Sequence, residues 1–516
     1  MGRPKFFRQR ILTQAASLEA KGLFNYLVSE IRARREVALE EAIIIAQDVH
    51  NYMEQQLLNR AMGQIEFPAI AGRNNHKKRS RDYQPERIIN LTIVAEEDIE
   101  LMAEFGIVVM QKGRLARIIE EAYHQDAILD GQRLLVLFPR TLRATRRHLK
   151  DLWHKGALLP VAGMNTENRK LMQNLRSVLA VERYLKGEDL TRIRKDLAIS
   201  QSHWHRLWYD FKELARNDKK TAEELENLLS QPREVITSWQ KIWGQYQNDT
   251  QVKTRLGLER KELQSKVQKL NHENFYQLLQ KRHGYSPAAA EQFMDDLRDI
   301  AARLNRQERG GGQIVYNAVA SHEPAGRKLT ECELKSVVLD YITPEDWELA
   351  ERDSAKKLKW ARLERLVTQA RAQGAALTQP DLALLLDIST QSVGSTLKAH
   401  PNVILPTRGI VADMGPALSH ADKIIRLYMD GYTETEIVRR TGHSYDSIES
   451  YLLDFARVTY LLEKNLPIPA IRKVMGCSRK LVEKYVSLYR EFCGSDYAFM
   501  MARIRRMAEA HPVKKN

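Results

Sequence analysis

The sequence predicts a mainly α protein made of tandem-duplicated halves, each with a small β-hairpin, a winged-helix-like unit and further helix-turn-helix units. The first observation behind this is a spacing. Ile437, Gly442, Ile448 and Tyr451 follow one another at intervals of five, six and three residues, and Ile471, Gly476, Val482 and Tyr485 repeat the series. Two helices joined by a tight turn require this pattern. Glycine tolerates the left-handed backbone of the turn, and an apolar pair three residues apart lines the inner edge of the second helix. The second observation is an offset. Gln64-Ile65 matches Gln313-Ile314 at 249 residues, Glu97-Asp98 and Glu100-Leu101 match Glu345-Asp346 and Glu348-Leu349 at 248, and Gly187, Ile193, Asp210 and Phe211 match Gly431, Ile437, Asp454 and Phe455 at 244. So slow a drift across half a chain marks a duplication.

In chain order, residues 1–61 read as an N-terminal helical region with an apolar stripe at Val37, Leu39, Ile43, Ile44 and Val49. Residues 62–164 read as a hairpin plus a winged-helix-like domain. Gln64–Ala71 and Ile88–Val94 are rich in β-branched residues and flank a loop holding Arg73, Lys77, Lys78, Arg79 and Arg81. The helix pair over Leu134–Leu149 carries Arg140, Arg143, Arg146, Arg147 and His148 on its second helix, and Leu158–Pro160 follows as a wing. Residues 165–250 form a degenerate helix-turn-helix domain, in which Ile193, Ala198, Trp204 and Leu207 keep the spacing with alanine at the turn. A weaker pair occupies Leu225–Trp243, and Trp204, Trp208, Trp239 and Trp243 are expected to fill a core between the halves. Residues 251–309 read as a helical linker. The hairpin returns at Gln313–Ser321 and Val337–Ile342 within residues 310–415, together with a unit at Leu382, Asp387, Val393 and Thr396 and a wing at Asn402–Gly409 that includes Arg408. The tandem helix-turn-helix domain spans 416–495, and 496–516 reads as a basic tail.

A formal charge of +15 with a pI near 9.5 points to a polyanionic partner, because lysine and arginine displace the counterions condensed on phosphates. Three cysteines (Cys332, Cys477 and Cys493) make no disulfide framework and no zinc pair, and no apolar run is long enough to span a bilayer. The expected setting is cytoplasmic, with no membrane and no cofactor.

A helix-turn-helix places its second helix in the major groove of duplex DNA. The expected readers are therefore Ser444, Tyr445, Asp446, Ser447, Glu449 and Ser450; Ser478, Arg479, Lys480, Glu483 and Lys484; Thr390, Gln391, Ser392 and Ser395; and Arg143, Arg146, Arg147 and Arg408. Arg479 and Lys480 lead this set as cations at the start of a second helix. The expected function is sequence-specific binding of double-stranded DNA by a transcriptional or mobile-element-associated regulator, acting as a homodimer or as a pseudo-symmetric monomer. The rivals are a DNA-processing enzyme and a helical protein-interaction scaffold. For the enzyme, His203-Trp204-His205 resembles a metal-binding histidine pair, but on a helix those histidines diverge. The acidic pairs Glu97-Asp98 and Glu345-Asp346 suit helix caps as well as a metal. The scaffold reading lacks the tetratricopeptide signatures.

At GGGQIVYNAVASHEPAGRKLT, ARAQGAALTQPDLALLL, LPTRGIVADMGPALSH and RRTGHSYDSIESYLLDFARV the chain resembles an uncharacterised prokaryotic helix-turn-helix family, the domain-of-unknown-function group sixteen-seventy. The likeness is good over about 310–492 and weaker over the first half. It implies a multi-helix-turn-helix DNA-binding protein with no catalytic residues to carry over. In the first half Gly442-His443-Ser444 is replaced by Ala198-Ile199-Ser200, and Arg140 stands where the second has Ile388. These departures predict a first half that has lost base reading and kept a structural role.

Overall fold

The computed structural model describes residues 3–35, 37–58, 60–72, 85–162, 175–229, 231–256, 272–306, 309–324, 327, 329–352, 355–400, 403, 405–411, 417–441, 445–475 and 479–511. The chain divides into two compact units, one drawn from residues 1–317, 338–362 and 384–389, the other from 318–337, 363–383 and 390–516. The first repeat runs α1 (Arg3–Glu19), α2 (Leu23–Arg35), α3 (Leu39–Tyr52), β1 (Gln64–Ala71), β2 (Glu86–Thr92), α4 (Glu96–Phe105), α5 (Ile107–His124), β3 (Ala127–Ile128), α6 (Gly131–Leu137), α7 (Leu142–His154), α8 (Arg176–Leu185), α9 (Leu190–Leu197), α10 (Gln201–Arg216), α11 (Ala222–Leu228), α12 (Arg233–Tyr246) and α13 (Thr250–Leu256). The second runs α14 (His272–His283), α15 (Pro287–Arg306), β4 (Gln313–Ala320), β5 (Leu334–Asp340), α16 (Pro344–Arg352), α17 (Ala355–Ala372), β6 (Ala375–Ala376), α18 (Gln379–Leu385), α19 (Thr390–Lys398), α20 (Arg408–Val411), α21 (Ala417–Met429), α22 (Glu434–Thr441), α23 (Tyr445–Glu463), α24 (Ile468–Met475), α25 (Arg479–Phe492) and α26 (Ala498–Ala510). The protein is mainly α and duplicated, as its residue pattern implies.

Each repeat holds a three-stranded sheet, in the orders β2-β1-β3 and β5-β4-β6. Their short third strands pair alike, Ile70 with Ile128 and Ala71 with Ala127, then Val319 with Ala376 and Ala320 with Ala375. Two residues are too few for a period to show in sequence, so these strands were not foreseen. The hairpin bases also correspond. Gly63 O accepts from Ile93 N and Val94 N, and Gly312 O accepts from Tyr341 N and Ile342 N. A Cβ at either glycine would lie 2.2 Å from the carbonyl oxygen of Val94 or Ile342, which fixes glycine at both.

The two repeats are tied by reciprocal contacts inside the first compact unit. Arg114 Nε donates to Asp98 Oδ2 at 3.0 Å, and Arg114 Nη1 donates to Leu384 O at 2.5 Å. Arg362 Nη2 donates to Asp346 Oδ2 at 2.9 Å and to Val136 O at 2.8 Å. These three pairs of positions are each 248 residues apart, so each repeat reaches the same carbonyl of the other. Arg60 donates to Arg309 O and Gly310 O at 3.1 Å, and Arg309 Nη1 returns to Ala61 O at 3.2 Å. Asp98, Arg114, Asp346 and Arg362 are fully buried. Burial opposes charge on Asp98, but Arg114 and Arg117 outweigh it and hold the carboxyl below its ordinary range.

Other segments depart from expectation. The stretch expected as a linker supplies α14 and α15, whose Phe275, Leu279 and Phe293 share a core with Leu27, Ile45 and Tyr52. Tyr52 and Phe275 stack at 4.2 Å. The tryptophans do not bridge the halves: Trp208, Trp239 and Trp243 surround Phe211, and Trp204 stacks on Trp208, all within the first repeat. The expected tail forms α26, which buries Met501 and Ile504. The second wing is not a strand among its described residues; Arg408 N donates to Leu377 O as α20 begins. In the first repeat the wing is reduced to one parallel bridge, Leu129 to Val161.

Removing one carboxylate leaves a buried guanidinium unpaired, which typically costs roughly 3–5 kcal/mol. Asp346→Ala and Asp98→Ala should each lower the unfolding free energy by about that much in urea titration. A loss under about 1 kcal/mol for both would show that the pairs do not hold the repeats together.

Candidate nucleic-acid interface

Helix α7 begins at Thr141, whose hydroxyl accepts from Ala144 N at 3.3 Å, and its inner face buries Thr145, His148, Leu149 and Leu152. With that face fixed, Arg143, Arg146, Arg147 and Lys150 all fall on the outer side at i, i+3, i+4 and i+7, and all four are exposed. None forms an ion pair among the described residues. Trp153, 60% exposed, continues this surface one turn on and stacks against His154. Arg140, expected on the same helix, lies instead in the preceding turn. It is buried, with Nη2 2.6 Å from Asp387 Oδ2, so it joins the interface between repeats. In α19, Gln391 and Ser395 are exposed, but Ser395 and Thr396 hydroxyls bond back to Gln391 O and Ser392 O. Gln391, Gly394 and Ser395 stand where α7 has Arg143, Arg146 and Arg147, so this second copy has little charge.

In the second compact unit, α21 to α26 share one core. Thr433 and Glu436 form a reciprocal cap that starts α22, with Thr433 N donating to Glu436 Oε2 at 2.8 Å and Glu436 N to Thr433 Oγ1 at 3.3 Å. Ile437, Ile448, Ile471, Val482 and Tyr485 are all fully buried, as their spacing predicts. Helix α23 ends at Asn465, which takes a left-handed φ of 61°, and Pro467 O accepts from Ala470 N and Ile471 N to open α24. Outward at the second pair stand Arg472, Lys473, Arg479 and Lys480, all exposed.

The remaining expected readers divide clearly. Arg479 Nε donates to Glu483 Oε1 at 2.8 Å on a solvated face, a pair weak enough to exchange for a phosphate. Lys484 turns inward to Asp422 Oδ1 at 3.0 Å and is committed to packing α25 on α21. The Tyr445 hydroxyl donates to Glu434, while Glu449 and Ser450 are exposed. Thr390 and Ser392 are partly buried at the start of α19. Arg408 is corrected: it is 3% exposed and donates to Glu323 O and Pro324 O, so it braces the second hairpin and faces no partner. Ser444, Ser478 and the side chains of Asp446 and Ser447 lie outside the described residues, as do the lysines and arginines of 73–84. Lys150, four residues after Arg146 on the same helix, was legible from that spacing, whereas Arg472 and Lys473 lie on a different helix from Arg479 and carried no such signal.

The enzyme-like features are accounted for locally. Trp204 packs in the core, His203 faces Glu97, and His205 Nε2 meets Gln201 at 2.7 Å. Asp98 and Asp346 serve buried arginines and cap their own helices through Ala95 N and Thr343 N. His322, Glu323 and Glu333 lie close together, but Glu323 already holds Arg327 and Glu333 N, and His322 pairs with Glu333 at 3.3 Å.

His148 lies directly beneath the α7 stripe. Burial, then Arg140 and Lys112, push its imidazole down to about 4. The unfolded chain therefore takes up a proton that the folded chain refuses between about pH 6.5 and 4, and stability falls as pH drops through that window. His148→Leu should flatten the acid-side decline in urea midpoint, and an unchanged decline would remove His148 as its source.

Among the described residues no helix is long and apolar enough to cross a membrane. No curated protein and no solved structure matches the chain. A family model described as "Protein of unknown function (DUF1670)" matches residues 38–242 and 279–488, one segment within each repeat. These segments hold both sheets, the α7 stripe and the tandem helix-turn-helix, and the chain therefore belongs to the DUF1670 family.

Proposed function

We propose that this protein binds double-stranded DNA as a transcriptional or mobile-element-associated regulator, through α7 in the first repeat and α24–α25 in the second. The observation that carries the reading is the α7 stripe. Four exposed cations stand on one helical face with no ion pair among the described residues, Asp151 beside them being paired with Lys112, and such a face attracts an external anion. Their arc suits a phosphate backbone, and a helix after a tight turn suits the major groove. The exposed Arg472, Lys473, Arg479 and Lys480 make a second cationic surface, and the net charge of +15 agrees with both. The reciprocal contacts between repeats favour a pseudo-symmetric monomer, with one chain doing what two subunits do in dimeric readers.

A salt titration of duplex affinity tests this. Each phosphate contact contributes roughly one unit to the slope of log affinity against log salt. Arg143→Ala, Arg146→Ala and Arg147→Ala should each flatten the slope by about one, and Arg479→Ala with Lys480→Ala by about two. Binding indifferent to salt, or no binding to any duplex, would sink the proposal.

A further inference from the structure

The first-repeat pair α9–α10 corresponds in sequence to α22–α23 at a shift of 244 residues. Ala198 takes a left-handed φ of 51° at its turn, Ser200 caps α10 by accepting from His203 N at 3.0 Å, and Trp204 and Leu207 are buried on the inner face. Against its outer corner lies α4. Glu97, Glu100 and Glu104 share one stripe of α4, away from Asp98 and its buried arginines. Glu97 pairs with Arg206 and lies 3.6 Å from His203 Nδ1. Glu100 Oε2 accepts from the backbone amide of Ser202, in the first turn of α10, at 3.1 Å. Glu104 Oε1 accepts from Arg194 Nη1 of α9 at 3.0 Å, and Arg194 is buried over the Phe105 ring. A free helix N-terminus with flanking cations is the seat that a DNA phosphate takes.

We infer that the α9–α10 corner has the chain's own α4 as its permanent partner, with three carboxylates seated where a duplex would place phosphates, so that this helix-turn-helix is closed to DNA. This inference rests on the DNA-binding reading for its consequence but not for the contact itself. Burial works against charge on Glu97, yet His203 and then Arg206 outweigh it and keep the carboxyl well below its ordinary range. Comparing the repeats strengthens the case. At the positions of Arg194, Ser202 and Arg206 the second repeat has Val438, Asp446 and Ser450, and at the position of Glu104 it has Arg352. The α9–α10 side of the lock is thus absent from the second copy, while on the other side only Glu104 is replaced and Glu345 and Glu348 keep the positions of Glu97 and Glu100. The first copy has exchanged an external polyanion for an internal one.

Two measurements on the full chain test the inference. By hydrogen exchange, Glu100→Ala should speed exchange of the Ser202 amide on the order of tenfold, with the α12 amides unchanged as reference. An unaltered Ser202 rate overturns the seat. With a random-sequence duplex of about 30 base pairs as probe, Arg206→Ala should lower the melting temperature but leave the salt slope as in the wild type. A slope flattened by about one would mean that Arg206 contacts a phosphate, and would overturn the closure. If the wild type binds no duplex, the proposed function fails, and the exchange measurement alone still decides whether α4 fills the corner.

Discussion

The architecture depends on burying two arginine–aspartate pairs where the repeats meet. Arg114 with Asp98 and Arg362 with Asp346 take four charges out of water, a step whose desolvation cost consumes much of the attraction gained. What the pairs add is direction. Each guanidinium has a donor left over, and each spends it on a main-chain carbonyl at the end of a helix in the other repeat, Leu384 or Val136. Helix ends offer unpaired carbonyls, so the contact meets a need on both sides. A purely apolar seam would hold the repeats together but would fix their register less sharply.

Around this symmetric frame the surfaces have diverged. The inner residues of the helix-turn-helix copies stay apolar, because a core of fixed volume tolerates little change. The outer residues answer only to what lies against them. On α7 they are arginines and lysine, on α19 glutamine, glycine and serine, on α10 residues paired with carboxylates of α4, and at α24–α25 four exposed cations. Duplication thus supplied several equivalent corners, and electrostatics separates those that can face a polyanion from those that cannot.

The fold was largely legible in the residues. Buried positions repeat at helical spacing, so Ile437, Ile471 and Val482 announced their faces, and the constant offset announced the duplication. The surface was legible only in part, because a cation has the same sequence signature whether it is free or paired. Arg143 and Arg146 are free for a ligand among the described residues. Arg140, three residues away, is buried against an aspartate 247 positions along the chain, and Arg408 supports a hairpin. Nothing in local spacing separates these cases; the partner that decides each one is distant in sequence. In sequence the pair Glu97-Asp98 suits a helix cap as well as a metal. Asp98 does cap, but Glu97 and Glu100 meet α10 and Glu104 meets α9, roughly one hundred residues later.

Helix α23 gives the second compact unit a fixed measure. It is the second helix of one helix-turn-helix and the first packing helix of the next, in an unbroken run of 19 residues. At 1.5 Å per residue that is about 28 Å. The distance between the two corners is thus set by a rigid rod. Adding a single residue to that rod would turn one corner by about 100° relative to the other. Length and phase are therefore locked together, and the helix works as a gauge whose one setting is written in its residue count.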